Sequence, residues 1–489
     1  MKRLLYFAAG AAGLLTACGG DDPAAAPSTY TVEKLLKPST CNECHQDHYK
    51  EWSGSMHAFA AKDPLFLAMN KRGQEETKGA LGNFCVSCHA PMAVRQAASP
   101  DETIDPEGLP EEQSGITCYF CHNVTDVTKD HNNPLVLAND TTMRGGVRDP
   151  VQYKAHTAAY SPLHDGTRLS SAPLCGACHD IVVDKHFSGA AEDVPLERTF
   201  AEWKESIFAD PHSQGQSCAG CHMDPDPRGT VPIASPPGPH PIMTPRNRHV
   251  HDFPAVDTAF AVADFPEREG QHARVQYKLD QEPRFQVCVD PIQGIVTVQV
   301  ENLSAGHGFP SGASQDRRLW LELHAENAKG QIFDSAVVKP GERVADVSQS
   351  DTIRGEWLFR DVTTKLDGSP AHMFWDVANV QTNTIPTLVN PNRVNWRDVT
   401  FATGVSNATR VTINLRLEPV GLDVLDDLVE SGHLSPTVRD ALPRFTLIPK
   451  RVTSPDKVTE ETPSFEWTLV EANGPKGKVG NGGLCLQSS

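Results

Sequence analysis

The sequence predicts a two-part molecule: a loop-rich, mainly α N-terminal region followed by an antiparallel β-sandwich-like region. Three observations carry that expectation. Ten of the 13 cysteines lie in five CxxCH motifs, all before residue 223. Proline (38) and glycine (36) are frequent while aromatics reach only 7%, so much of the chain is loop. From about residue 275 the apolar pattern takes a period of two, the signature of half-buried strands. At 489 residues the chain is also longer than one core usually serves. The hydrophobic share (39%) and charged share (22%) exclude a polytopic membrane protein and a wholly disordered one. A formal charge of −18 argues against nucleic acid as a partner, because phosphate neutralisation needs a basic face.

The first element is an address. Lys2 and Arg3 precede an apolar run over 4–15, too short to cross a bilayer as a lasting helix. It ends in Leu15-Thr16-Ala17-Cys18, followed by Gly19 and Gly20. This resembles a bacterial lipoprotein signal, which implies a signal peptide over 1–17, lipidation of Cys18 and a flexible tether over 18–34. Gly19 is not the aspartate that often marks inner-membrane retention, so the expected place is the cell envelope, anchored by lipid to the outer membrane.

The next element, 35–255, is organised by the motifs: Cys41-Asn-Glu-Cys44-His45, Cys85-Val-Ser-Cys88-His89, Cys118-Tyr-Phe-Cys121-His122, Cys175-Gly-Ala-Cys178-His179 and Cys218-Ala-Gly-Cys221-His222. Random placement gives about 0.014 such matches, so five are not chance. Two thiols two residues apart match the span between the haem vinyl groups, to which they add as thioethers. The adjacent histidine is then set under the iron as proximal ligand. Zinc is the competing chemistry for CxxC pairs, but zinc ribbons need paired knuckles and no obligatory following histidine. Five covalent haems c are therefore expected.

Each iron has a sixth position, and twelve other histidines lie between residues 40 and 310: 48, 57, 131, 156, 164, 186, 212, 240, 249, 251, 272 and 307. Most must be ordinary surface or core residues. After the first motif, Tyr49, Trp52 and Met56 recur at helical spacing and would pack on a haem face, leaving His57 for a neighbouring haem. Glu202-Trp203-x-x-Ser206 repeats Glu51-Trp52-x-x-Ser55, with Phe208 in the place of His57, and reads as repeated packing without ligation. His156 and His164 precede the fourth motif. A proline-rich run over 225–245 should wrap the surface and deliver His249 or His251, while Arg246 and Arg248 could pair with haem propionates. The loop 306–312 carries His307 between glycines, which would permit close approach to a flat macrocycle. Methionines 56, 92, 223 and 243 are weaker rivals.

On these residues the chain resembles the multihaem c-type cytochromes related to the tetrahaem cytochromes that accept electrons in nitrification. The matching stretches are 41–58, Gly115 to His122, Leu174 to Asp180, 196–223, the His249/His251 segment and the loop 306–312. The resemblance covers roughly residues 35–315. It implies closely packed haems with largely bis-histidine ligation, and on that basis His57, His156, His164, His251 and His307 are the expected distal ligands, with His249 as substitute. Which histidine serves which haem is left open.

The second region, 256–473, is expected to hold strands around Val296/Val298/Val300, Leu319/Leu321/Leu323 and Val411/Ile413/Leu415/Leu417, with a Lys329-Gly330 turn. A short helical insertion is expected near 422–431, and a second helix capped by Ser435 and Pro436. Later strands are expected near 445–452 and 465–470, ahead of a tail over 474–489. Cys288 and Cys485 suit a disulfide pinning that tail, on parity alone.

The function these features favour is electron transfer between redox proteins through five haems, in an anaerobic or extracellular respiratory chain. The rival is a multihaem reductase with one open haem acting on nitrite, hydroxylamine or a sulfur oxyanion. No CxxCK motif occurs to mark such a site. A third reading makes the sandwich an adhesin and the haems only structural.

Overall fold

The computed structural model describes residues 28–99, 101–213, 215–239, 243–260, 265, 267–290, 292–347, 352–389, 394–469 and 482–484. The signal peptide, Cys18, most of the tether, nearly all of the tail and Cys485 lie outside them. No described helix is long and apolar enough to cross a membrane.

The N-terminal region is built from short helices, and its longest, Pro64–Glu76, has 13 residues. Proline at the first helical turn opens Pro38–Asn42, Pro64–Glu76 and Pro91–Arg95, where its missing N–H costs nothing. The third and fifth motifs are each one helical turn, Cys118–His122 and Cys218–His222. Thr117 and Ser217 cap them, accepting the amides of Phe120 and Gly220. Between the helices run two-stranded ribbons. One pairs Pro225–Val231 with Arg246–His249, so the proline-rich run begins as an edge strand, the only place in a sheet that tolerates missing donors.

From Pro283 onward two sheets dominate. In the first, Thr352–Arg354, Trp396–Ala402, Ile295–Asn302, Pro283–Asp290 and Gly482–Leu484 lie in that order, antiparallel except for the last pair. The second runs Ile332–Ser335, Arg318–Asn327, Ala408–Glu418 and Phe445–Leu447, with Leu358–Phe359 and Phe465–Thr468 added to its long strands. Alternate residues of both sheets meet in one core: Val287, Val296, Val298 and Val399 from the first, Leu321, Leu323, Ile413 and Leu415 from the second. The architecture is therefore mainly helical first and antiparallel β second.

Three details differ from the sequence expectation. The strand at Phe445 stops at Leu447, because Pro449 opens a helix to Thr453. Arg318–Leu323 is buried on both faces, not one. The two halves also share a core, since Ala68 and Met69 of the long helix pack with Met373, Trp375, Leu422 and Leu425. Cys288 is disulfide-bonded, and Gly483 lies opposite it in the parallel pair; the expected partner, Cys485, is outside the described residues.

Candidate haem-binding sites

An imidazole nitrogen sits about 2 Å from a transition metal and about 1 Å from its own ring centre, so two imidazoles sharing one iron have centres about 6 Å apart. Four motif histidines have a second histidine at that separation. His45 faces His156 at 6.3 Å, His179 faces His57 at 6.2 Å, His122 faces His251 at 6.2 Å and His222 faces His307 at 6.3 Å. Among the described residues no group of three or more His, Cys, Asp or Glu side chains is placed to hold a metal ion by itself.

In six of these eight rings the second nitrogen is committed to the backbone. Nδ1 of His45 bonds the carbonyl of Ile233 (3.0 Å), that of His122 the carbonyl of Arg144 (2.5 Å) and that of His222 the carbonyl of Pro254 (2.8 Å). On the opposite side, Nδ1 of His156 bonds Thr157 O, that of His251 His249 O and that of His307 Gly308 O. A ring that donates Nδ1–H keeps Nε2 as a lone pair, the tautomer a metal needs. Burial favours the neutral ring throughout: it lowers His45 and His222 to about 4 and His57 and His251 to about 3. None of the ten motif cysteines is in a disulfide, so all ten sulfurs are available for thioether formation. The residues present therefore fit covalent haem.

The second motif is different. His89 bonds Ala60 O through Nδ1 (3.3 Å), and the ring lying against it is Phe66, parallel at 4.2 Å. His164, expected as a distal ligand, lies beside His122 of the third motif. Its Nε2 bonds Cys121 O (2.8 Å) and its ring stacks on His122 at 5.6 Å, while His251 holds the iron-spanning separation. With Nε2 donating to that carbonyl, the lone pair of His164 is on Nδ1, which is buried and without a hydrogen-bond partner. His249 bonds Met223 O, and His48 packs edge-on against His251 at 4.7 Å. His131 and His186 pair with Asp130 and Asp184.

Thiol contacts locate the motifs relative to one another. Cys41 lies against Cys118, Cys175 against Cys218, and Cys88 against Cys178. The first motif thus lies beside the third, and the fourth beside both the fifth and the second.

Both arginines of the 246–248 segment are engaged by carboxylates. Arg248, with its side chain 2% exposed, makes a two-pronged pair with Glu51 (2.7 and 2.5 Å) and also bonds Asp226 (2.7 Å). Arg246 pairs with Asp149. The glycines of 306–312 also have a reason other than a macrocycle: a Cβ on Gly306 would meet Trp203 at 3.1 Å, and one on Gly308 would meet Thr384 and Glu202. Neither anchoring carboxylate was singled out by sequence reasoning, although both stand in the repeated Glu-Trp-x-x-Ser pattern.

A family model described as "Cytochrome c554 and c-prime" matches residues 40–123. Among solved structures, a penta-haem cytochrome c552 from Thermochromatium tepidum is similar, at a TM-score of 0.58 and 17% identity over 86% of this chain and 98% of that one. No curated protein matches. At this identity the likeness is one of fold: a distant, multihaem c-type cytochrome fold.

Proposed function

We propose that the chain is an electron-transfer protein carrying five covalent haems c, one per motif. The observation that carries this reading is the 6.2–6.3 Å pairing of His45/His156, His57/His179, His122/His251 and His222/His307. Bound haem supplies one-electron storage and transfer. The chain's part is to hold both axial positions at four sites, which leaves no place there for a substrate. The thiol contacts support an order in which the fourth site is a junction, adjoining the second and the fifth.

Donor and acceptor are redox proteins, and the charge of −18 favours partners with basic docking faces. Lipidation of Cys18 would keep the protein at the outer membrane, in an anaerobic or extracellular respiratory chain. The test is a chemical haem count with a reductive titration. Five haems and five electrons per chain are expected; fewer of either would overturn the reading.

A second reading rests on His89 alone. With Phe66 as its ring neighbour, the second site is the one place where an exchangeable position could serve a reductase acting on nitrite, hydroxylamine or a sulfur oxyanion. Turnover of nitrite or hydroxylamine by the reduced protein would favour this reading; electron transfer without turnover would favour the first.

A further inference from the structure

Two segments of the same pattern, Glu51-Trp52-x-x-Ser55 and Glu202-Trp203-x-x-Ser206, make the same set of bonds at two different motifs. Trp52 Nε1 donates to Ile116 O (2.8 Å), and Trp203 Nε1 donates to Gln216 O (2.9 Å). Each acceptor lies two residues before the first cysteine of a motif, Cys118 or Cys218. The same residues donate back: Ile116 N to His57 O (2.9 Å) and Gln216 N to Phe208 O (2.8 Å). Ser55 and Ser206 each bond the carbonyl of their own tryptophan, at 2.7 and 2.8 Å. The position of His57 and Phe208 is thus kept for its backbone, which explains why the side chain there is free to differ.

The glutamates complete the parallel. Glu51 Oε2 accepts the backbone N–H of His251 (3.0 Å), and Glu202 Oε2 accepts that of Gly308 (2.9 Å), the residue after His307. His251 faces the histidine of the third motif and His307 that of the fifth. In each segment, therefore, the tryptophan holds a motif while the glutamate holds the backbone of the histidine opposite that same motif. The contacts around the glutamates differ: Glu51 is fixed by Arg248, whereas Glu202 also accepts from Ser311 Oγ (3.1 Å). The first and third motifs, and the fourth and fifth, are further alike in the thiol contacts Cys41–Cys118 and Cys175–Cys218.

We infer that Glu-Trp-x-x-Ser is a repeated haem clamp, in which Glu51 and Glu202 are positioning residues for the sixth ligands of the third and fifth haems. The inference rests on the ligation proposed above. An acceptor is what each histidine segment needs, so glutamine should serve where alanine should not. Rigid holding of a ligand shows in how fast it lets go, because an external ligand such as cyanide binds a saturated ferric haem only after a histidine leaves.

The test uses the full haem-loaded protein, with haem count, electron paramagnetic resonance and cyanide-binding rate as readouts. Glu51→Ala should alter one low-spin component, the one lost in His251→Ala, and speed cyanide binding there at least tenfold. Glu202→Ala should do the same to the component lost in His307→Ala. Glu202→Gln should keep both wild-type signals. Should Glu51→Ala not accumulate with five haems, Trp52→Phe, which removes one indole hydrogen bond, should shift the same component.

Alanine variants with five haems, unchanged components and unchanged cyanide rates would overturn the clamp while leaving the ligation standing. So would a shift of the same component, or of every component, in both variants. If His251→Ala and His307→Ala themselves change nothing, the ligation fails and the clamp fails with it.

Discussion

Single residues in this protein are set by burial more than by their neighbours' charge. The paired histidines are kept neutral because charging them inside the protein is costly, and a neutral ring has a lone pair to offer a metal. The buried Arg248, held by both Glu51 and Asp226, is the counter-case: removing it would leave the Glu51 carboxylate without its cation, at about 3–5 kcal/mol. Asp316 gives the clearest pH signature. Burial raises it to about 7 even though Arg317 and Arg318 oppose the shift. An unfolded aspartate titrates near 4, so between roughly pH 4 and 7 the folded state holds the extra proton and stability falls as pH rises through that window. Asparagine has no proton to lose. Asp316→Asn should therefore gain on the wild type by on the order of 1–3 kcal/mol between pH 5 and pH 8, read from denaturant midpoints. A pH-independent difference would show that the carboxyl ionises freely.

At the scale of elements, the close approaches are made by backbone. Gly115 has a φ of +74°, and a Cβ there would lie 2.5 Å from His57 O and 2.9 Å from Ala58 O. Gly115→Ala should push His57 away from His179, converting the fourth site to high spin and costing about 2 kcal/mol or more. Gly215→Ala is the control, because its nearest atom is 3.4 Å away and it should leave spectrum and Tm unchanged. The strands were legible in the sequence because alternation is local: Val296, Val298 and Val300 declare their face without reference to anything else. The motifs were legible for a similar reason, since thioether chemistry fixes their spacing. The repeated Glu-Trp-x-x-Ser was visible too, but its meaning was not, because its partners Ile116, Gln216, His251 and Gly308 are between 13 and 200 residues away.

For the molecule as a whole, the same division holds. Five motifs and twelve further histidines gave a surplus from which the sequence alone could not choose. His164 and His156 looked alike in the sequence, and the fold sets them apart: Nε2 of His164 bonds the Cys121 carbonyl, whereas His156 faces His45. The sheet region is more than an appendage, because it delivers His307 to the fifth motif. Trp375 also reaches back to Glu76 (2.7 Å). The pairing of His222 with His307 and the docking of the two halves thus depend on the same contacts.

The most direct test of the account is the ratio of spin states in the oxidised protein, measured by electron paramagnetic resonance against a chemical haem count. Four histidine pairs and a Phe66-flanked His89 predict five haems, four low-spin and one high-spin. Five low-spin haems would contradict the distinct second site, and two or more high-spin haems would contradict the histidine pairing itself.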